Sequence, residues 1–246
     1  MHILITRPRS DGESLKATLE QLGWRATLEP LIDIVPNAIA ESDIQDAGAL
    51  IATSRNALRS LANSPALTAA LALPLLAVGP GTAALARELG FKDIVEGDGT
   101  GASLVPEIIR LSKTNTGPFI HLAGDVLAFD LAAALAPERI PIRALTVYRS
   151  IAAKTFTPQV AEALRNGDID VVALMSPRTA ETWARLAGAL SPPLDFSALT
   201  YACLSENVAK ALSARPPAQN IAIAERPNLH ELFVVLKRLA ARLEPG

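Results

Sequence analysis

Six short stretches carry residue types that could hold an anion: Thr6-Arg7-Pro8-Arg9, Thr53-Ser54-Arg55-Asn56, Gly79-Pro80-Gly81-Thr82, Ala123-Gly124-Asp125, Ser176-Pro177-Arg178-Thr179 and Ser205-Glu206-Asn207. Each follows a short apolar run and precedes an alanine- and leucine-rich segment. A helix begins there, and its unpaired N–H groups, helped by a hydroxyl or a guanidinium, can bind carboxylate or phosphate oxygens. Ser, Thr, Asp and Asn are also the ordinary N-caps of any helix, so the arginines are more telling. Arg7, Arg9, Arg55 and Arg178 follow strand ends directly, and Arg149 lies in a segment crossing between domains. The pattern suggests an anionic ligand.

Other chemistries find less support. His2, His121 and His230 share no HxxxH or HExxH spacing, and His121 reads as a residue buried in its strand. No GxSxG elbow and no GxxxxGK[ST] loop occurs. Gly79-Pro80-Gly81-Thr82-Ala83-Ala84 reads as GxGxxA before a helix, with Glu96 after the next apolar run, so a dinucleotide site through Gly79 and Gly81 stays open as a minor alternative. Cys203 is the one cysteine, which excludes an internal disulfide and a cysteine-rich metal site. A net charge of -2 gives no basic face for a nucleic acid. The N-terminal apolar run is too short for a signal peptide or a membrane span. The expectation is a cytoplasmic chain with no nucleic-acid or membrane partner.

The elements that position these residues alternate along all 246 residues. HILIT leads into SDGESLKATLEQLG, ALIATS into RNALRSLA, LLAV into GTAALARELG, FIHLAGD into VLAFDLAAALA, VVALMS into PRTAETWARLAGAL, and YACL into SENVAKALSA. Strands apolar at every position are buried on both faces, so parallel sheets flanked by helices follow. Sliding the sequence on itself by about 120 residues pairs Leu15 with Leu131, Ser54 with Ser176 and Ala83 with Ala209, as two copies of one module would. Two proline-containing extended stretches, EPLIDIVP at 29–36 and VYRSIAAKTFTP at 147–158, are natural crossing points. The expected domains are residues 1–35 with 152–246, and residues 36–151, each a doubly wound sheet of five strands, flavodoxin-like or Rossmann-like.

Taken in order, these motifs resemble the uroporphyrinogen-III synthase family over essentially the whole chain. The resemblance is carried by Ile5-Thr6-Arg7-Pro8, Glu29-Pro30-Leu31, Ala52-Thr53-Ser54-Arg55-Asn56-Ala57, Ala77-Val78-Gly79 with Thr82-Ala83, Leu122-Ala123-Gly124-Asp125, Val147-Tyr148-Arg149 and Ser176-Pro177. It implies two α/β domains joined by a two-stranded connector with the active site in the cleft between them. It also implies hydroxymethylbilane, a linear tetrapyrrole with eight carboxylates, as substrate. The macrocycle closes with inversion of the last ring and loss of water, and no metal or organic cofactor is implied. A monomer is expected.

On the same resemblance, Tyr148 is the expected catalytic residue, a phenol able to donate a hydrogen bond to the departing hydroxyl. Arg7, Ser54, Asn56, Thr82, Gly124 and Ser176, with Arg178 from its place at a strand end, are the expected substrate-binding residues, Thr82 also capping its helix. The sequence departs from the family pattern at Ala52, where an aromatic is frequent, and at Ser205-Glu206-Asn207-Val208, where a glycine-rich turn and threonine are usual. Glu206, Glu29, Asp33 and Asp125 are unfavourable near a polyanion unless they point away. The alternative from another class is a non-catalytic two-domain protein that closes on a small anion.

Overall fold

The computed structural model describes residues 1–212 and 220–243. The chain runs β1 (His2–Ile5), α1 (Arg9–Gln21), β2 (Arg25–Leu28), β3 (Ile32–Pro36), β4 (Ala49–Ala52), α2 (Arg55–Ala62), α3 (Leu67–Ala70) and β5 (Leu75–Ala77). It continues through α4 (Pro80–Leu89), β6 (Ile94–Glu96), α5 (Val105–Ser112), β7 (Phe119–Gly124), α6 (Leu131–Leu135) and β8 (Ile142–Ala152). Last come α7 (Pro158–Arg165), β9 (Val171–Leu174), α8 (Pro177–Gly188), β10 (Thr200–Cys203), α9 (Glu206–Leu212), β11 (Asn220–Ile223) and α10 (Leu229–Leu243). The final two residues of the expected SENVAKALSA helix, Ser213 and Ala214, lie outside the described residues.

Two compact units result, Met1–Asp33 with Ile151–Gly246, and Ile34–Ser150. The first holds a parallel sheet in the order β11-β10-β9-β1-β2. The second holds β3-β8-β7-β4-β5-β6, parallel from β8 to β6. Counted from β9 through β11 and then β1 and β2, the first sheet has the order 3-2-1-4-5. Counted from β4, the second has the same order. The module inferred from the Ser54/Ser176 offset is thus visible as topology, with the first unit permuted so that its last two strands come first in the chain. The α/β expectation holds, and the wholly buried strands β1, β4, β5, β7 and β9 show why: helices cover both sheet faces, so every side chain in them is apolar or bonded.

The expected five strands in the second unit are six. The amide of Asn37 donates to Val147 O, and that of Ala153 to Leu31 O. Partner numbers falling as the chain rises make β3 antiparallel to β8. The stretch expected as one of the two connector strands therefore takes the edge of the second sheet, with only Ile32 of its five residues buried. Each sheet lies between two apolar cores. In the first unit, Leu4, Val172 and Leu174 face a core around Trp183, and Ile3, Ile5 and Val171 face the other. In the second, Leu50, Ile120 and Leu122 share one core, while Ile51, Leu76 and Phe119 share the other.

Candidate functional site

In a doubly wound sheet of order 3-2-1-4-5 the connections leave to opposite sides at strands 1 and 4, opening a crevice beyond their carboxyl ends. In the second unit these strands are β4 and β7. A cavity of about 520 Å³ lies there, within the usual range for an organic ligand. Its strand-tip wall is Thr53, Ser54, His121, Gly124 and Tyr148. Residues 99–102 and 126–129 form further walls, with Val78 between. None of the lining residues is Asp, Glu, Lys or Arg.

Local sequence sets each of these groups. Ser54 is extended and caps α2, its Oγ accepting the Asn56 N–H at 3.1 Å. The β4/β7 register pairs Ile51 with His121, which brings the Thr53 Oγ1 to 2.9 Å from the His121 Nε2. A register shift between Ala123 and Gly124 then sets Tyr148 opposite Gly124, where an unbroken ladder would have set Val147. Bulges commonly re-aim a side chain beside a site. Here Val147 keeps to the core, and the hydroxyl end of the Tyr148 ring lies against Gly124: a Cβ on that glycine would come within 2.7 Å of Tyr148 Cε2 and Cζ.

The glycine-rich segment 97–103 supplies the next wall. Gly99 has φ +99°, and its N–H donates to Val78 O at 2.7 Å. Gly79 lies so close that an added Cβ would be 2.9 Å from Gly99 Cα. The glycine of the GxGxxA motif thus serves the approach of two backbones, and Glu96 is bonded by Arg87 at 3.0 Å, so the dinucleotide reading finds neither residue placed for it. The last wall, Val126–Phe129, was expected within a helix over VLAFDLAAALA. That helix instead starts after Asp130, whose carboxylate accepts the Ala133 N–H at 3.0 Å and fixes the start there. Val126, Leu127 and Phe129 are left exposed beside the cavity.

Ser54, Gly124 and Tyr148 therefore meet in one pocket. Two other expected residues of the same unit do not line it. Asn56 Oδ1 accepts from Arg59. Thr82 is buried at the third position of α4; the cap is Gly79, so the expected capping by Thr82 is corrected. Its N–H donates to the Gly79 carbonyl at 3.1 Å. In the first unit, Ser176 caps α8 through the Thr179 N–H and bonds the Thr179 hydroxyl at 2.7 Å. Arg7 pairs with Asp11 at 2.8 Å, and Arg178 stands second in α8. Three of the four acidic residues flagged in the sequence have protein partners. Glu29 accepts the Thr157 N–H and hydroxyl, Asp125 accepts the Ser150 N–H, and Glu206 pairs with Lys210.

Sequence reasoning missed His121 as a pocket residue, as well as the 97–103 loop. Three glycines within GDGTG at 97–101 were the available signal for the loop. Burial pushes the His121 imidazole down to about 4, only partly offset by the charge of Asp130. It is neutral at physiological pH, whereas the unfolded chain takes up a proton near 6.5. Between those values the unfolded state binds more protons, so stability rises with pH and is lost as pH falls from 6.5 toward 4. His121 alone should cost about 2 kcal/mol between pH 7.5 and pH 5. His2, lowered by burial, adds in the same direction. Urea midpoints at the two pH values should show this loss, and His121→Leu should reduce it.

A strand-tip crevice lined by hydroxyls, glycine backbone and apolar side chains, in one of two modules with a shared strand order, defines a two-module α/β protein built to take an organic molecule. Residues 13–233 match the model of the family described as uroporphyrinogen-III synthase HemD, and the chain belongs to that family. The fold is similar to the crystal structure of uroporphyrinogen-III synthetase from Helicobacter pylori 26695, with a TM-score of 0.68 and 18% identity over 97% of this chain and 99% of that one. It is also similar to a mutant uroporphyrinogen III synthase from the extremely thermophilic bacterium Thermus thermophilus, with a TM-score of 0.56 and 22% identity over 98% and 99%. No curated protein matches the sequence. Among the described residues, no helix is long and apolar enough to cross a membrane.

Proposed function

We propose that the chain is a cyclising hydro-lyase that converts hydroxymethylbilane to uroporphyrinogen III, and that the Tyr148 pocket receives the reacting end of the substrate. The observation that carries this reading is the uncharged strand-tip pocket with Tyr148 held on Gly124, in a chain of this family. The pyrrole nitrogen can expel the hydroxyl, which leaves with a proton as water, giving an electrophilic methylene. The substituted carbon of the last ring must then attack before the free carbon does. Holding one conformation is therefore most of the task.

An apolar pocket with hydroxyl donors suits that end of the molecule. The exposed Val126, Leu127 and Phe129 offer surface to pyrrole rings, and the Tyr148 phenol would donate to the departing hydroxyl. Carboxylates, costly to bury without partners, fall to residues outside the pocket: Arg7, Asn56, Thr82, Ser176 and Arg178. The same proposal takes the enzyme as a cytoplasmic monomer. Its one cysteine suits a reducing compartment, with the buried Cys203 thiol pushed up to about 12.

Incubating the purified chain with freshly generated hydroxymethylbilane and resolving the isomers tests the activity. Isomer III should form faster than spontaneous closure. Isomer I alone would overturn the reading.

A further inference from the structure

We propose that His121 is a positioning residue for this reaction: its imidazole holds the Thr53 hydroxyl as a donor toward the departing hydroxyl of the substrate seated in the Tyr148 pocket. The inference rests on the synthase reading and adds a pair of residues to it.

His121 stands on β7 two residues after Phe119, on a strand buried throughout. An imidazole at such a position costs stability unless it is bonded. Its Nε2 lies 2.9 Å from Thr53 Oγ1, and both residues line the cavity. Among the described residues, the other ring nitrogen has no hydrogen-bond partner. The one bond that ring makes therefore ties it to a hydroxyl of the pocket wall.

A neutral imidazole carries one N–H and one lone pair, so its tautomer decides what Thr53 can do. If Nε2 accepts, the threonine proton is spent on the ring, and only its lone pairs remain. If Nε2–H donates, the Thr53 O–H is left to donate to a third group and is polarised by the bond it accepts. A departing hydroxyl needs the second arrangement. Burial keeps the ring uncharged at working pH, which also spares the developing cationic methylene a like charge at close range.

The experiment compares Thr53→Val, which keeps the shape, with His121→Leu, the double variant and Thr53→Ser. Turnover, KM and the isomer III fraction are measured, alongside the ring ¹⁵N shifts of His121 and circular dichroism melts. Each single change should lower kcat about tenfold, the loss of one neutral hydrogen bond, with KM nearly unchanged and more isomer I. The double variant should be no slower than either single, because the two residues act as one unit. Thr53→Ser should keep the rate, and the parent ring should show the Nε2–H tautomer.

Multiplying losses in the double variant, an Nδ1–H tautomer, or a parent-like rate and isomer ratio in Thr53→Val would each overturn the proposal. Should His121→Leu not fold, Thr53→Val and the tautomer decide. Isomer I alone from the parent chain would sink the synthase reading and this one with it, whereas isomer III from the parent with an unchanged rate and isomer ratio in Thr53→Val and His121→Leu would sink this one alone.

Discussion

Replacing Gly124 with alanine is expected to cut isomer III formation by about two orders of magnitude, as far as Tyr148→Phe does, while the melting temperature moves by only about 4 °C. The added Cβ would lie 2.7 Å from Tyr148 Cε2 and Cζ and 2.8 Å from its hydroxyl oxygen. Carbon atoms pack near 3.5–4.0 Å. The obstacle is the tip of a half-buried side chain, so the ring can swing aside at modest cost to the fold. Its hydroxyl then leaves the place the bulge gave it. Tyr148→Phe removes the same hydroxyl with the ring in place, and the double change should be no worse than either. Turnover with hydroxymethylbilane measures all three. A parent-like rate in Gly124→Ala would show that the place of the Tyr148 hydroxyl does not matter to the chemistry.

Trp183→Ala is expected to remove about 3–5 kcal/mol from the stability of the first unit. Trp183 has no exposed surface. Its ring lies 5.1 Å from Phe156, 6.1 Å from Tyr201 and 6.2 Å from Phe196, centroid to centroid. Those tilted and edge-on contacts join α8 to β10 and to the segments after β8 and α8. Against a usual total of about 5–15 kcal/mol, such a loss brings the unit close to unfolding. The midpoint of its urea transition should fall accordingly. Trp183→Phe, which keeps an aromatic in the space, should recover much of it.

Strands buried on both faces were legible because their apolar runs end abruptly at Ser, Thr or Gly. Ser54 and Ser176 were legible because an N-cap must be a small acceptor. The repeat revealed two copies of one module, and only the strand order showed the first to be permuted. What escaped is non-local. The shift at Ala123/Gly124 that faces Tyr148 toward the pocket follows from pairing between β7 and β8, and nothing in either segment announces it. Gly79 reads as a phosphate turn in isolation, and only the fold brings Gly99 against it. The VLAF segment has helical composition, yet the Asp130 cap overrides it. Arginines at strand ends pointed to an anion, but none of them lines the pocket, whose walls carry no Asp, Glu, Lys or Arg.

The sheet order has a consequence for synthesis on the ribosome. Residues 34–150 form an uninterrupted stretch and can complete their sheet as they emerge. The opening strand finds β2 nearby, but its other partner β9 lies far downstream: the His2 N–H meets the Asp170 carboxylate across 168 positions. Until the final third of the polypeptide appears, the β9 edge of that strand and Leu4, whose core is built around Trp183, stay uncovered, a sticky surface for chaperones to shelter while the central module is already native.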